Sequence, residues 1–148
     1  VKRAFGLGIA VMLIAAALGG CASAARDTAG FSVIEEATVE APFEDTWQHT
    51  KAVLRERELN IFTRDKRGFF VAFTAEDRDW RLVPHRTKYA LSLEEVSPTA
   101  TKVTIETTDQ VYGVTLLTFP DWHDRKTTDN AEGAAILEAI AAKVGNSS

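Results

Sequence analysis

The stretch TKYALSLEEVSPTATKVTIETT, from Thr87 to Thr108, decides the fold. Tyr89, Leu91 and Leu93 alternate with polar or small residues. After a break, Val103 and Ile105 alternate with lysine, threonine and glutamate. A period of two puts each apolar set on one face of an extended strand. Between the sets lies Ser97-Pro98-Thr99-Ala100, with proline at the second turn position, where its fixed φ fits. Two such strands joined by such a turn form an antiparallel hairpin with one apolar face and one wet face.

A hairpin with one apolar face needs further strands beside it and a cover over that face. Upstream, Ser32 to Ala41 alternates Val33, Glu35, Ala37, Val39 and Ala41 against partly charged neighbours, the pattern of a half-buried strand. Pro42 ends it and opens a helix, where a missing N–H costs nothing. Glu44 and Asp45 then sit where the helix dipole favours negative charge. Phe43, Trp47, Thr50 and Leu54 follow at helical spacing, flanked by Val53, and Arg55 to Glu58 close the helix as a solvated surface. Next come a short strand from Leu59 to Thr63, the charged turn Arg64 to Gly68, and a strand from Phe69 to Thr74. This last strand is aromatic on both faces and is expected to lie centrally. Phe43, Trp47, Phe69, Phe70 and Phe73 all read as core.

Glu76 to Arg86 carries dense charge with Trp80 and Pro84, and reads as a long loop of the kind that often bears function. Downstream of the hairpin, Val111 to Phe119 is apolar almost throughout and either continues the last strand or forms another, until Pro120. Asp129 and Glu132 have the spacing of a capping box. The helix that follows buries Gly133, Ile136, Leu137, Ile140, Ala141 and Val144, with Lys143 and Gly145 as stop signals. No internal repeat is present. Strand, helix, antiparallel strands, helix is an α+β order, and the expected fold is a two-layer sandwich in a single domain over residues 31–148.

The N-terminal segment has a different logic. Lys2 and Arg3 precede Ala4 to Leu18, an uncharged apolar run of about 15 residues, short of the roughly 20 needed to span a bilayer. A charged head, a short apolar middle and small residues after it form the secretory leader pattern. Its end, Leu18-Gly19-Gly20-Cys21, resembles the lipobox of bacterial lipoproteins. The resemblance implies that residues 1–20 are a signal peptide removed before Cys21, and that Cys21 carries a diacylglycerol on sulfur and an acyl group on nitrogen. Each buried methylene contributes about 0.8 kcal/mol and one chain alone anchors only marginally, so several chains on one residue are what hold a protein at a bilayer.

Two other readings stand beside it. Ala22-Ser23-Ala24 matches an ordinary secretory cleavage site that would release a soluble chain from Ala25, and the segment could remain as an uncleaved anchor. Residues 21–30 are small and polar and read as a flexible tether. In Gram-negative lipoproteins an aspartate directly after the cysteine favours the inner membrane. Ala22 stands there instead, so the resemblance implies the outer membrane, facing the periplasm.

The chain has 17 basic and 21 acidic residues, a net charge of −4, or −6 once Lys2 and Arg3 are removed. An acidic chain without a clustered basic face is a poor binder of nucleic acid and gains nothing from an anionic membrane surface. One cysteine makes no internal disulfide.

Thr38-Val39-Glu40-Ala41-Pro42-Phe43, followed by Trp47, Leu54, Leu59-Asn60-Ile61 and a strand after Gly68, is similar to the domains of the BamC lipoprotein family, an accessory part of the outer-membrane barrel-assembly machinery. It is also similar to a group of small bacterial outer-membrane lipoproteins with the same element order. The resemblance covers Val33 to Val144 and implies a strand, a helix opening at proline with tryptophan five residues on, a strand hairpin and a final helix. Helix-grip lipid-binding domains begin in the same way.

Candidate chemistry is sparse. Asp121, His123 and Asp124, around Trp122, are the one compact acid–histidine cluster and the weak candidates for a metal. Adjacent loop residues seldom converge on one ion, so Trp122 is expected to cap the core edge while its neighbours face water. His85 stands near Glu76 and Asp77 as an acid–base pair without a nucleophile, and His49 is expected to face solvent. There is no phosphate-binding glycine loop and no G-x-S-x-G elbow. The expectation is therefore a non-enzymatic envelope protein without a cofactor, touching a protein partner through Arg78, Trp80, Arg81, His85 and Trp122, since exposed tryptophan and arginine together mark interface hot spots. The alternative is a module that binds a lipid or other apolar molecule between the final helix and the sheet.

Overall fold

The computed structural model describes residues 28–78, 83–113 and 119–145. Alternation in the sequence becomes an antiparallel six-stranded sheet, and the two helical patterns become its cover. In chain order the elements are β1 (Val33–Val39), α1 (Phe43–Glu56), β2 (Asn60–Asp65), β3 (Phe69–Phe73), β4 (His85–Ser97), β5 (Ala100–Gly113), β6 (Asp121–Arg125) and α2 (Ala131–Gly145). The strands run in the order β1-β5-β4-β3-β2, and β6 also pairs with β5. This is the α+β two-layer sandwich that the sequence implies.

β5 is long enough to serve two partners along one edge. Its first part pairs with β1, ending at Val33 opposite Thr107, and its last part pairs with β6, beginning at Arg125 opposite Asp109. β4 lies along its other edge, with Leu91 opposite Ile105 and Arg86 opposite Gln110.

The odd-numbered residues of β4 and β5 point toward the helices. Tyr89, Leu91, Leu93, Val103 and Ile105 are buried there with Phe70 and Ala72 of β3. Trp47, Val53 and Leu54 of α1, and Ile136, Leu137, Ile140 and Val144 of α2, close over them. Each fully buried large apolar side chain contributes about 1.5–3 kcal/mol, so this layer is the main source of stability. Trp47 also donates its indole N–H to the Asp65 carbonyl at 2.9 Å and packs on Phe70, which fixes α1 over the end of β2.

Two glycines set how closely the layers approach. Gly68 closes the β2–β3 turn at φ +99°, and a Cβ there would lie 2.5 Å from the Leu93 carbonyl and 2.9 Å from the Phe43 ring. Gly133 seats α2 on β5, where a Cβ would lie 2.5 Å from the Thr107 hydroxyl.

Several details depart from the sequence expectations. Arg57 is not a solvated surface residue: its guanidinium bonds the Glu132 carboxylate and the Ala135 carbonyl, joining the two helices. Glu132 therefore does not reach back to complete a capping box, although Asp129 does accept the Ala131 N–H at 2.9 Å. Helix α1 ends in a Schellman motif, with Leu59 N–H on Leu54 O and Glu58 N–H on Arg55 O. Its left-handed position, φ 56°, is filled by Glu58 rather than glycine. Ala141 faces water, and His49 is half-buried rather than exposed. β3 is internal, as expected, but among the described residues only one of its faces is covered. Phe69 and Phe73 lie on the other, away from the core expected for them.

Candidate functional site

Even-numbered residues of β4 and β5 face away from the helices, and most of that surface is ordinary: Glu36 pairs with Lys102 at 2.7 Å, and Ser32 donates to Glu106 at 2.7 Å. At one end the chemistry changes. Register brings Arg86, Gln110 and Asp124 into one row across β4, β5 and β6, with Tyr112 opposite Trp122 in the next row. The Arg86 guanidinium carbon lies 3.9 Å from the centre of the Phe73 ring and 3.9 Å from that of Trp122, so the cation is held between two aromatic faces. Its Nε donates to Gln110 Oε1 at 2.9 Å, and Gln110 Nε2 donates to Asp124 Oδ1 at 2.8 Å.

The stack extends at both ends. Tyr112 packs on Trp122 with ring centres 5.4 Å apart, and Phe62 meets Phe73 edge-on at 6.1 Å. Five side chains from five strands thus form one continuous band, Phe62–Phe73–Arg86–Trp122–Tyr112. Each cation–π contact is worth about 0.5–1 kcal/mol when exposed and about 2 when desolvated. Burial lowers the pKa of Arg86, while the charges of Glu76 and Asp121 pull the other way, and the guanidinium remains a cation. Phe62 is 82% exposed and Tyr112 38%, and Phe69, at the other end of β3, is 43% exposed on the same face.

Two hollows flank β2. One, of about 530 Å³, opens on the uncovered face between Phe62, Phe73, Thr74, Glu76 and Arg86. The other, of about 470 Å³, lies toward α1 and is lined by Arg55, Leu59, Asn60, Ile61, Phe62 and Arg64. Between α2 and the sheet, by contrast, Ile136 and Ile140 are fully buried in the same core as Val103 and Ile105.

The residues singled out in the sequence are only partly brought together. Trp122 does not cap the core edge; it stacks on Arg86 on the uncovered face. Asp121, His123 and Asp124 lie in β6 and not in a loop, so alternation sends Asp124 to the face opposite His123 and Asp121. Among the described residues no group of three or more such side chains is placed to hold a metal. His123 Nε2 lies 3.2 Å from the Gly113 carbonyl. The supposed long loop is shorter, because Asp77 and His85 form a backbone bridge and His85 and Arg86 belong to β4. His85 Nε2 is 3.8 Å from the Asp77 carboxylate. Arg78 is exposed just beyond that bridge. Cys21, Trp80 and Arg81 lie outside the described residues.

The residues the sequence reading missed are Phe62, Phe73, Arg86, Gln110 and Tyr112. The signal for them was a row of aromatic residues on both faces of β3, one face more than a core requires.

Fold and site together define a two-layer α+β sandwich that displays an aromatic and guanidinium band on its uncovered sheet face. Comparison of the chain with known protein families and with curated proteins gives no match.

Proposed function

We propose that this chain is a non-enzymatic interaction module of the cell envelope, tethered by acyl chains on Cys21 at the periplasmic face of the outer membrane. It binds a protein partner through the uncovered face of its sheet. The observation that carries this reading is the band around Arg86. Large aromatic rings stay exposed on a face that no second layer of described residues covers, beside a guanidinium already fixed in orientation by its stack. Contiguous exposed apolar surface of this kind marks interaction sites, and aromatic and arginine side chains dominate their energetics. A pre-stacked arginine also loses little freedom on binding. The tether rests on Leu18-Gly19-Gly20-Cys21 alone.

A photo-crosslinking residue in place of Tyr112 tests the surface in intact cells. A discrete protein adduct is expected, and Arg86→Ala should abolish it while leaving the protein folded and at the membrane. Absence of any adduct from Tyr112 or Phe62 overturns the proposal. Intact mass tests the tether: a chain beginning at acylated Cys21 is expected, and an unmodified chain beginning at Ala25 removes it.

A further inference from the structure

β2 is the outermost strand on its side of the sheet: β3 pairs with one of its edges, and no described strand pairs with the other. An added strand would place successive side chains alternately on the two faces. The two hollows lie where those side chains would fall, one on each face of β2.

Their chemistry differs. Asn60, Ile61 and Phe62 border both; beyond them the hollow on the uncovered face adds Phe73 with Glu76 and Arg86, whereas the one toward α1 adds Leu59 with the cations Arg55 and Arg64. Both arginines are exposed, and among the described residues neither has an ion-pair partner. The opposite edge of the sheet is built differently. On β1, Glu35 points toward the helix layer and is already half-buried, with one carboxylate oxygen lacking a partner. A strand added there would bury that charge further, a standard way of guarding an edge. Beside β2, Arg55 of α1 and Arg64 of the strand itself are cations that an acidic partner would neutralise, whereas the strand's one anion, Asp65, is already paired with Arg67. The bulge between Ile61 and Thr63 interrupts the β2–β3 register. It shortens the run available for main-chain pairing, so the hollows must supply the specificity.

Resting on the function proposed above, we infer that the partner is an extended segment added to the free edge of β2, with apolar or aromatic side chains against Phe62 and Phe73 alternating with acidic ones against Arg55 and Arg64. A second copy docked β2 to β2 would instead bring these arginines onto one another.

The probe is a synthetic end-capped octapeptide alternating phenylalanine or valine with glutamate, added to the full chain. Binding should slow amide exchange in Asn60 to Asp65. N-methylation of the peptide amides that face β2 should weaken binding about tenfold or more, whereas methylation of the outward set should leave it unchanged. Arg55→Glu with Arg64→Glu, both at the surface, should weaken it about tenfold and favour a lysine version of the peptide. Equal effects of the two methylation patterns, equal binding of the lysine peptide, or unchanged exchange in β2 overturn the inference. So does peptide-free self-association through β1 of one copy and β2 of the next, seen by sedimentation. In-cell adducts from Tyr112 but none from Phe62 or Arg64 would sink strand addition alone. Absence of adducts from all three sinks the interaction module itself.

Discussion

Strand β3 carries Phe70 and Ala72 on one face and Phe69, Val71 and Phe73 on the other. By composition the two faces are equally apolar, yet their fates differ. Phe70 is fully buried under Trp47, while Phe69 and Phe73 stand on a face that no described helix reaches. The covered face is apolar because folding requires it. The uncovered face is apolar without that requirement, and Phe73 is organised with Trp122 around a cation instead of a core. Surplus hydrophobicity on a solvent-facing sheet is therefore evidence about binding, whereas the same residues one position away are evidence about stability.

Truncation is the sharpest way to break this comparison. Phe70→Ala should cost about 3–5 kcal/mol in urea unfolding, as for a large aromatic removed from a packed core. Phe62→Ala should stay within about 0.5 kcal/mol, as for an exposed residue. Comparable losses at the two sites would show that Phe62 is packed like a core residue after all.

A smaller effect is expected at the stack. Arg86→Ala and Trp122→Ala should each cost about 1–2 kcal/mol, with a coupling of about 1 kcal/mol in a double-mutant cycle, because each removes the same cation–π contact. Strict additivity would mean that the two side chains do not act as a unit.

The mildest test concerns pH and belongs to the covered face. Burial, and then the negative charges of Glu132 and Asp109, push the Tyr89 hydroxyl from 10.0 up to about 12. The folded chain thus keeps a proton that the unfolded chain releases near pH 10. The resulting stability is complete below pH 10 and is lost as pH rises through about 12. Tyr89→Phe should flatten the alkaline limb of a stability–pH curve over that interval. An unchanged limb would place the alkaline sensitivity elsewhere.

What was legible in the sequence was what is local. The β4–β5 hairpin, the proline start of α1 and most of the buried face of α2 follow from periodicity and turn chemistry within a few residues. β6 was not legible, since Asp-Trp-His-Asp-Arg has no strand alternation of its own and is extended only because β5 lies beside it. The Arg86 stack needs Phe73, Arg86 and Trp122 to meet across four strands, a juxtaposition that only the pairing register creates. Glu58 escaped for the opposite reason: the packing of Leu59 after α1 outweighs the preference for glycine at its left-handed position.

The contact between β1 and β5 joins distant parts of the chain, with the Ser32 hydroxyl reaching Glu106 74 residues on. Pairings this remote have high contact order, and closing so long a loop costs entropy before any contact rewards it. On a growing chain β1 emerges well before β5, yet it has no described strand partner until β5 has been made. β1 therefore joins the sheet late, and the hairpin of β4 and β5, whose contacts are adjacent in sequence, is the template on which it lands.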